Sequence, residues 1–120
     1  MSEIADAILS FEGTTPRIVA DLGNVDFEVR HIRDDLKERY SDTDFKKAYK
    51  LIMANQVTGD EFKQLIGAAQ YKAQSLIFDS IIVFVLPSDR YQAVFASFDY
   101  REDFPTVQLI QQVTESNSAP

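Results

Sequence analysis

The chain has no cysteine, no tryptophan and a single histidine, His31, among its 120 residues. The missing cysteines exclude disulfides, thiol nucleophiles and thiolate-held metals, and fit a reducing compartment. Glycine is sparse, and the four present, at 13, 23, 59 and 67, are scattered, so neither a phosphate-binding loop nor a dinucleotide fingerprint exists. The G-x-S-x-G and HExxH patterns are absent too, and no serine stands at a familiar catalytic spacing from His31. Basic residues are outnumbered: 12 Lys and Arg face 19 Asp and Glu, a net charge of -7. That charge opposes the phosphate backbone of nucleic acids and anionic membrane surfaces, so neither is expected as a partner. The opening residues MSEIADAI carry acids and no basic stretch, so no signal peptide is expected, and the cytoplasm is the expected location.

What the chain does have is one strongly apolar stretch, Leu76 to Leu86 (LIFDSIIVFVL). A bilayer span needs about 20 uninterrupted apolar residues, and Asp79-Ser80 interrupts this run. The six apolar residues Ile81 to Leu86, β-branched or aromatic for the most part and closed by Pro87, predict a strand buried on both faces. Asp79-Ser80 suits a two-residue turn joining it to Leu76-Ile77-Phe78 as a hairpin.

Before this hairpin, Ile4, Ile8 and Phe11 recur at helical spacing after Ser2, and Gly13 ends that helix. Ile18, Ala20 and Leu22 share one strand face. Gly23-Asn24 is a turn signal, and Val25, Phe27, Val29 and His31 alternate with Asp26, Glu28 and Arg30, predicting a second strand with one face on the core. Asp35-x-x-Glu38 and Ser41-x-x-Asp44 have the form of capping boxes, the second stapled by Tyr40 and Phe45. Phe45, Ala48, Tyr49, Ile52 and Met53 then form an amphipathic stripe, and Thr58-x-x-Glu61 opens a further helix carrying Phe62, Leu65, Ile66 and Ala69. After the hairpin, Tyr91 to Phe98 predicts a fifth strand. Pro105 opens a last helix whose inner side is expected to carry Val107, Ile110 and Val113.

The expectation is a single α+β domain over residues 1–113 with a flexible tail at 114–120. Its elements run α-β-β-α-α-β-β-β-α, a five-stranded antiparallel sheet flanked by helices on both faces, in the manner of roadblock and profilin folds. The aromatics Phe27, Phe45, Tyr49, Phe62, Phe84 and Phe95 fall on core periods and are expected inside. The run Arg33-Asp34-Asp35-Leu36-Lys37-Glu38-Arg39-Tyr40, with Phe78-Asp79 and the apolar strand ending at Pro87, resembles a family of small acidic haloarchaeal domains sharing an Arg-Asp-Asp-Leu-x-Glu-x-Tyr motif. The resemblance spans most of residues 17 to 98 and implies a module of this size with no assigned activity, hence no catalytic residue to carry over.

The residues most able to carry chemistry are His31, Arg33, Asp34 and Asp35. An imidazole near carboxylates can act as a base or bind a ligand, and with Glu38 the acids could accept a hard cation. Against this, a histidine alternating with Val25, Phe27 and Val29 is accounted for by packing, and acids at a helix start by capping, so neither a metal nor another cofactor is expected. Two functions follow. The first is a non-enzymatic interaction or regulatory module whose partner is another protein or a second copy of itself, as in a homodimer formed through the sheet or a helix pair. The alternative is a small-molecule-binding sensor or minor enzyme using His31 with Asp34 or Asp35.

Overall fold

A computed structural model describes residues 3–23, 26–68, 71–88 and 93–118. Its elements are α1 (Glu3–Ser10), β1 (Pro16–Leu22), β2 (Phe27–Ile32), a 3₁₀ turn (Asp34–Leu36), α2 (Asp42–Ile66), β3 (Gln74–Ile77), β4 (Ile81–Pro87), β5 (Ala93–Asp99) and α3 (Thr106–Ser118). The strands form one antiparallel sheet in the order β2-β1-β5-β4-β3. The α+β class, the five-stranded sheet and the order of elements are those expected. Hairpin chemistry does not determine how the two strand groups meet; they join through β1 and β5, which makes β5 the centre.

The apolar stretch forms the β3–β4 hairpin, turning at Asp79-Ser80, with the Phe78 amide donating to the Ile81 carbonyl at 2.8 Å. Its side chains divide between two cores. On one face Ile82, Phe84 and Leu86 join Val19, Val94, Ala96 and Phe98 beneath α1 and α3. Rings of Phe84, Phe98 and Phe104 close that core with centroids 5.0 to 5.9 Å apart. On the other face Ala20, Leu22, Val85 and Ala93 meet Ile52 of α2 in a smaller cluster. Among the described residues, no helix is long and apolar enough to cross a membrane.

Several expectations are revised. Thr58 starts no new helix: its hydroxyl donates to the Ala54 carbonyl at 3.2 Å, and α2 runs unbroken for 25 residues. Gly59, inside it, makes room for Tyr71, since a Cβ there would stand 2.6 Å from the ring. The box at Asp35 does not cap either; the 3₁₀ turn has Arg33 at its cap position with no side-chain cap bond, because Asp35 is held by Arg33. The Ser41 box forms in full: its hydroxyl accepts from the Asp44 amide, and its own amide donates to the Asp44 carboxylate.

Strand β2 is an edge, so its alternation faces little core. Val29 is exposed, His31 half-buried, and Phe27 alone reaches Phe45 and Phe95. Phe62 is 58% exposed rather than internal. In α3 Leu109 and Val113, one turn apart, are buried and Ile110 packs against the same core as expected; Val107 falls on the opposite side and is exposed. Ser2, Asn24, Val25, Ala69 and Tyr91 lie outside the described residues.

Ser41→Ala is expected to lower stability by about 1 kcal/mol through loss of the α2 cap. Urea denaturation followed by circular dichroism checks this; an unchanged midpoint refutes the cap's contribution.

Candidate functional site

Two register shifts in β1 place the charged groups. The first falls between Pro16 and Ile18 against β5: Pro16 opposes Phe98 and Ile18 opposes Ser97, leaving Arg17 as the extra residue. Strict alternation would send Arg17 to the α1/α3 side with Val19. The shift instead lets Arg17 and Ile18 both line a pocket on the α2 side. The second shift, between Val19 and Ala20 against β2, skips Arg30, whose Nε lies 2.5 Å from the carboxylate of fully buried Asp21.

The pocket has a volume of about 560 Å³. Its floor is sheet, with Ile18, Phe27, Val83, Phe95 and Ser97; its walls are Phe45 and Ala48 of α2, Tyr40 before it, and Phe78 and Ile81 of the β3–β4 hairpin. The charged residues lining it are Arg17, Arg39 and Asp44. Asp44 is engaged by the Ser41 amide and then the Ser41 hydroxyl, which hold its carboxyl below the ordinary range.

Arg17 is only 6% exposed, yet its contacts are long. Its guanidinium donates to Ser97 Oγ and to the Tyr40 hydroxyl, each at 3.4 Å, and its Nε lies 3.6 Å from Asp99. Asp99 is held more closely by Arg33, whose Nη1 donates to it at 2.6 Å. Arg33 also grips Asp35 with two bonds of 2.6 and 3.1 Å. The Arg33 pKa is raised by its bonds to Asp35 first and Asp99 second, and the Asp35 carboxyl is lowered by the Arg33 bond.

Of the four residues singled out in the sequence, Arg33 and Asp35 are brought together. Asp34 points outward, 3.0 Å from Lys37 Nζ, and His31 Nε2 lies 3.3 Å from the Pro16 carbonyl. None of the four lines the pocket. Among the described residues, no group of three or more His, Asp or Glu side chains is placed to hold a metal ion. Arg17 was missed in the sequence because only a break in strand alternation brings it to this face. The one local signal is Pro16, which cannot donate to a ladder and so favours an irregularity at a strand's start. Chemically, the site is an apolar cleft with a desolvated cation.

A family model described as Domain of unknown function (DUF7522) matches residues 2–117. The chain belongs to the DUF7522 family. A search of curated proteins returns no match. Among solved structures, this DUF7522 chain is similar to one described as MglB with tetrameric arrangement, at a TM-score of 0.66 and 14% identity over 97% of this chain and 81% of that one. A second, the gliding protein MglB from Thermus thermophilus, aligns at a TM-score of 0.59 and 13% identity, covering 97% and 84%. At these identities the likeness is one of fold, and it agrees with the roadblock-type order of elements.

The Arg33–Asp35 pair predicts a pH dependence. Because the folded carboxyl titrates below its ordinary 3.8, the contribution of Asp35 is complete above that value and lost as pH falls through the depressed one. The difference in urea midpoint between the native chain and Asp35→Asn is therefore expected to be largest near neutrality and to shrink in acid. Parallel curves down to about pH 2 would contradict the pairing.

Proposed function

We propose that this chain is a non-enzymatic interaction module that assembles as a symmetric pair, through the free edge of β3 and the adjoining flank of α2. The observation that carries this reading is the contrast between the two sheet edges. Sheet edges that stay free in solution are commonly protected by charge, proline or a bulge. Edge β2 has all but the proline: Glu28 and Arg30 stand on it, and Arg30 is skipped in the register. Edge β3, Gln-Ser-Leu-Ile, has no charge, no proline and no bulge. Ile77 is 63% and Phe78 54% exposed there.

Helix α2 adds to the same side. At about 100° per residue, Leu51, Phe62, Leu65 and Ile66 fall on one stripe, broken only by the uncharged Asn55 and Thr58. One flank of α2 faces the β1–β2 connection, where Tyr49 donates to the Gly23 carbonyl at 2.6 Å. Its other flank carries Ala48 in the pocket with Phe78, and Gly59 against Tyr71. The stripe lies further round in this second direction, so it borders open β3. Leu65 is 80% exposed on it. A second copy fits this uncharged surface: an edge strand pairs antiparallel with its own twin about a two-fold axis, and each α2 stripe then faces its equivalent. The tetrameric arrangement described for one MglB structure is consistent with self-association on this fold.

The -7 charge supports a protein partner over nucleic acid or an anionic membrane. The same acidity and the Arg-Asp-Asp-Leu-x-Glu-x-Tyr run support a haloarchaeal, cytoplasmic setting.

Light scattering in line with size exclusion is expected to give twice the 13.6 kDa chain mass, and the double variant Leu65→Glu, Ile77→Lys the single mass with its circular dichroism intact. A native chain that remains single at its highest soluble concentration refutes the proposal.

A further inference from the structure

We infer that the cleft between α2 and the sheet is a binding site for a small monocarboxylate with an aliphatic or aromatic body, anchored by Arg17. This goes beyond the pairing proposed above and does not rest on it. Charge-assisted hydrogen bonds between nitrogen and oxygen ordinarily measure about 2.7 to 2.9 Å, and a buried guanidinium with five donors is costly to leave without such partners. Among the described residues, the hydrogen bonds and ion pair of the Arg17 guanidinium measure 3.4 to 3.6 Å. Its carboxylate partner, Asp99, lies 3.6 Å away and is shared with Arg33, which holds it at 2.6 Å. The bulge therefore delivers a buried cation to a cleft with only long internal partners, its ion pair to Asp99 being one of 3.6 Å.

The rest of the lining defines the ligand. Phe27, Phe45, Phe78, Val83 and Phe95 leave an apolar slot beneath the charge, and about 560 Å³ lies within the usual range for small-molecule sites. A carboxylate matches the planar fork of an arginine in two parallel bonds. A dianion is disfavoured because Asp44 also faces the cleft, leaving one net positive charge from Arg17 and Arg39. The Tyr40 hydroxyl and Ser97 Oγ stand beside the guanidinium, where they can orient the same carboxylate. The resulting picture is an acid head at Arg17 and an apolar tail running between Phe45 and the sheet.

The test uses the full-length chain with sodium octanoate and 4-phenylbutyrate as probes, octanamide as the uncharged counterpart and inorganic phosphate as the bare anion, followed by calorimetry and amide NMR shifts. Octanoate is expected to bind saturably, shifting amides of Phe45, Ala48 and Ser97. Octanamide is expected to bind at least about ten-fold more weakly, as the loss of one charged hydrogen-bonded pair implies. Arg17→Met should lose octanoate by a similar factor. Should that variant fail to fold, Ala48→Phe decides: it fills the slot without touching the charge and is expected to abolish octanoate binding with circular dichroism unchanged. Octanamide binding as tightly as octanoate, phosphate competing with it, undiminished binding to Ala48→Phe, or no saturable binding of either carboxylate overturns the inference.

Discussion

Five hydrogen-bonded strands span roughly 19 Å, and a single helix with its side chains covers about 10 to 12 Å. Most of what distinguishes this molecule follows from that mismatch. On one face two helices, α1 and α3, share the sheet, and the core there is large and closed by three phenylalanine rings. On the other face α2 works alone, and Ile52 is its only buried residue. The uncovered width has to appear somewhere. It appears as the cleft beside Phe45 and as the exposed β3 edge, so the two candidate binding features have one geometric origin.

Local signals were legible where they act over a few residues. The doubly apolar strand ahead of Pro87, the Asp79-Ser80 turn and the Ser41 box all formed as their chemistry dictates. Signals that compete with a longer-range contact were not. Thr58 has the residues of a helix start, but its position on a helix already nucleated at Ser41, with Gly59 fitted to Tyr71, continues the helix instead. Asp35 has the residues of a cap, but a guanidinium two positions away holds it more strongly than a backbone amide. Phe62, Leu65 and Ile66 have core periodicity, and periodicity cannot say whether the surface they meet belongs to the same chain.

The site was the least visible part, for a reason that lies in the backbone. Side-chain alternation is the only rule that assigns a strand residue to a face, and a single skipped pairing reverses it. Arg17 is reassigned by one such skip and Arg30 is brought to Asp21 by another. Neither can be anticipated from residue types, because both arise from how β1 is shared between two neighbours with different registers. The histidine and acids that stand out in the sequence are conspicuous by rarity or by crowding, and of these the structure joins only Asp35 to the ionic network, through Arg33.

The unequal treatment of the two borders of the sheet has a consequence for growth. A ribbon with two free sides can recruit neighbours without end, which is the route to fibres. Here the side formed by β2 is bent and charged, so a molecule that has used its other side has none left to offer. On the proposed pairing, addition through β3 is self-terminating, and an acidic protein with a bare apolar rim can remain a finite particle.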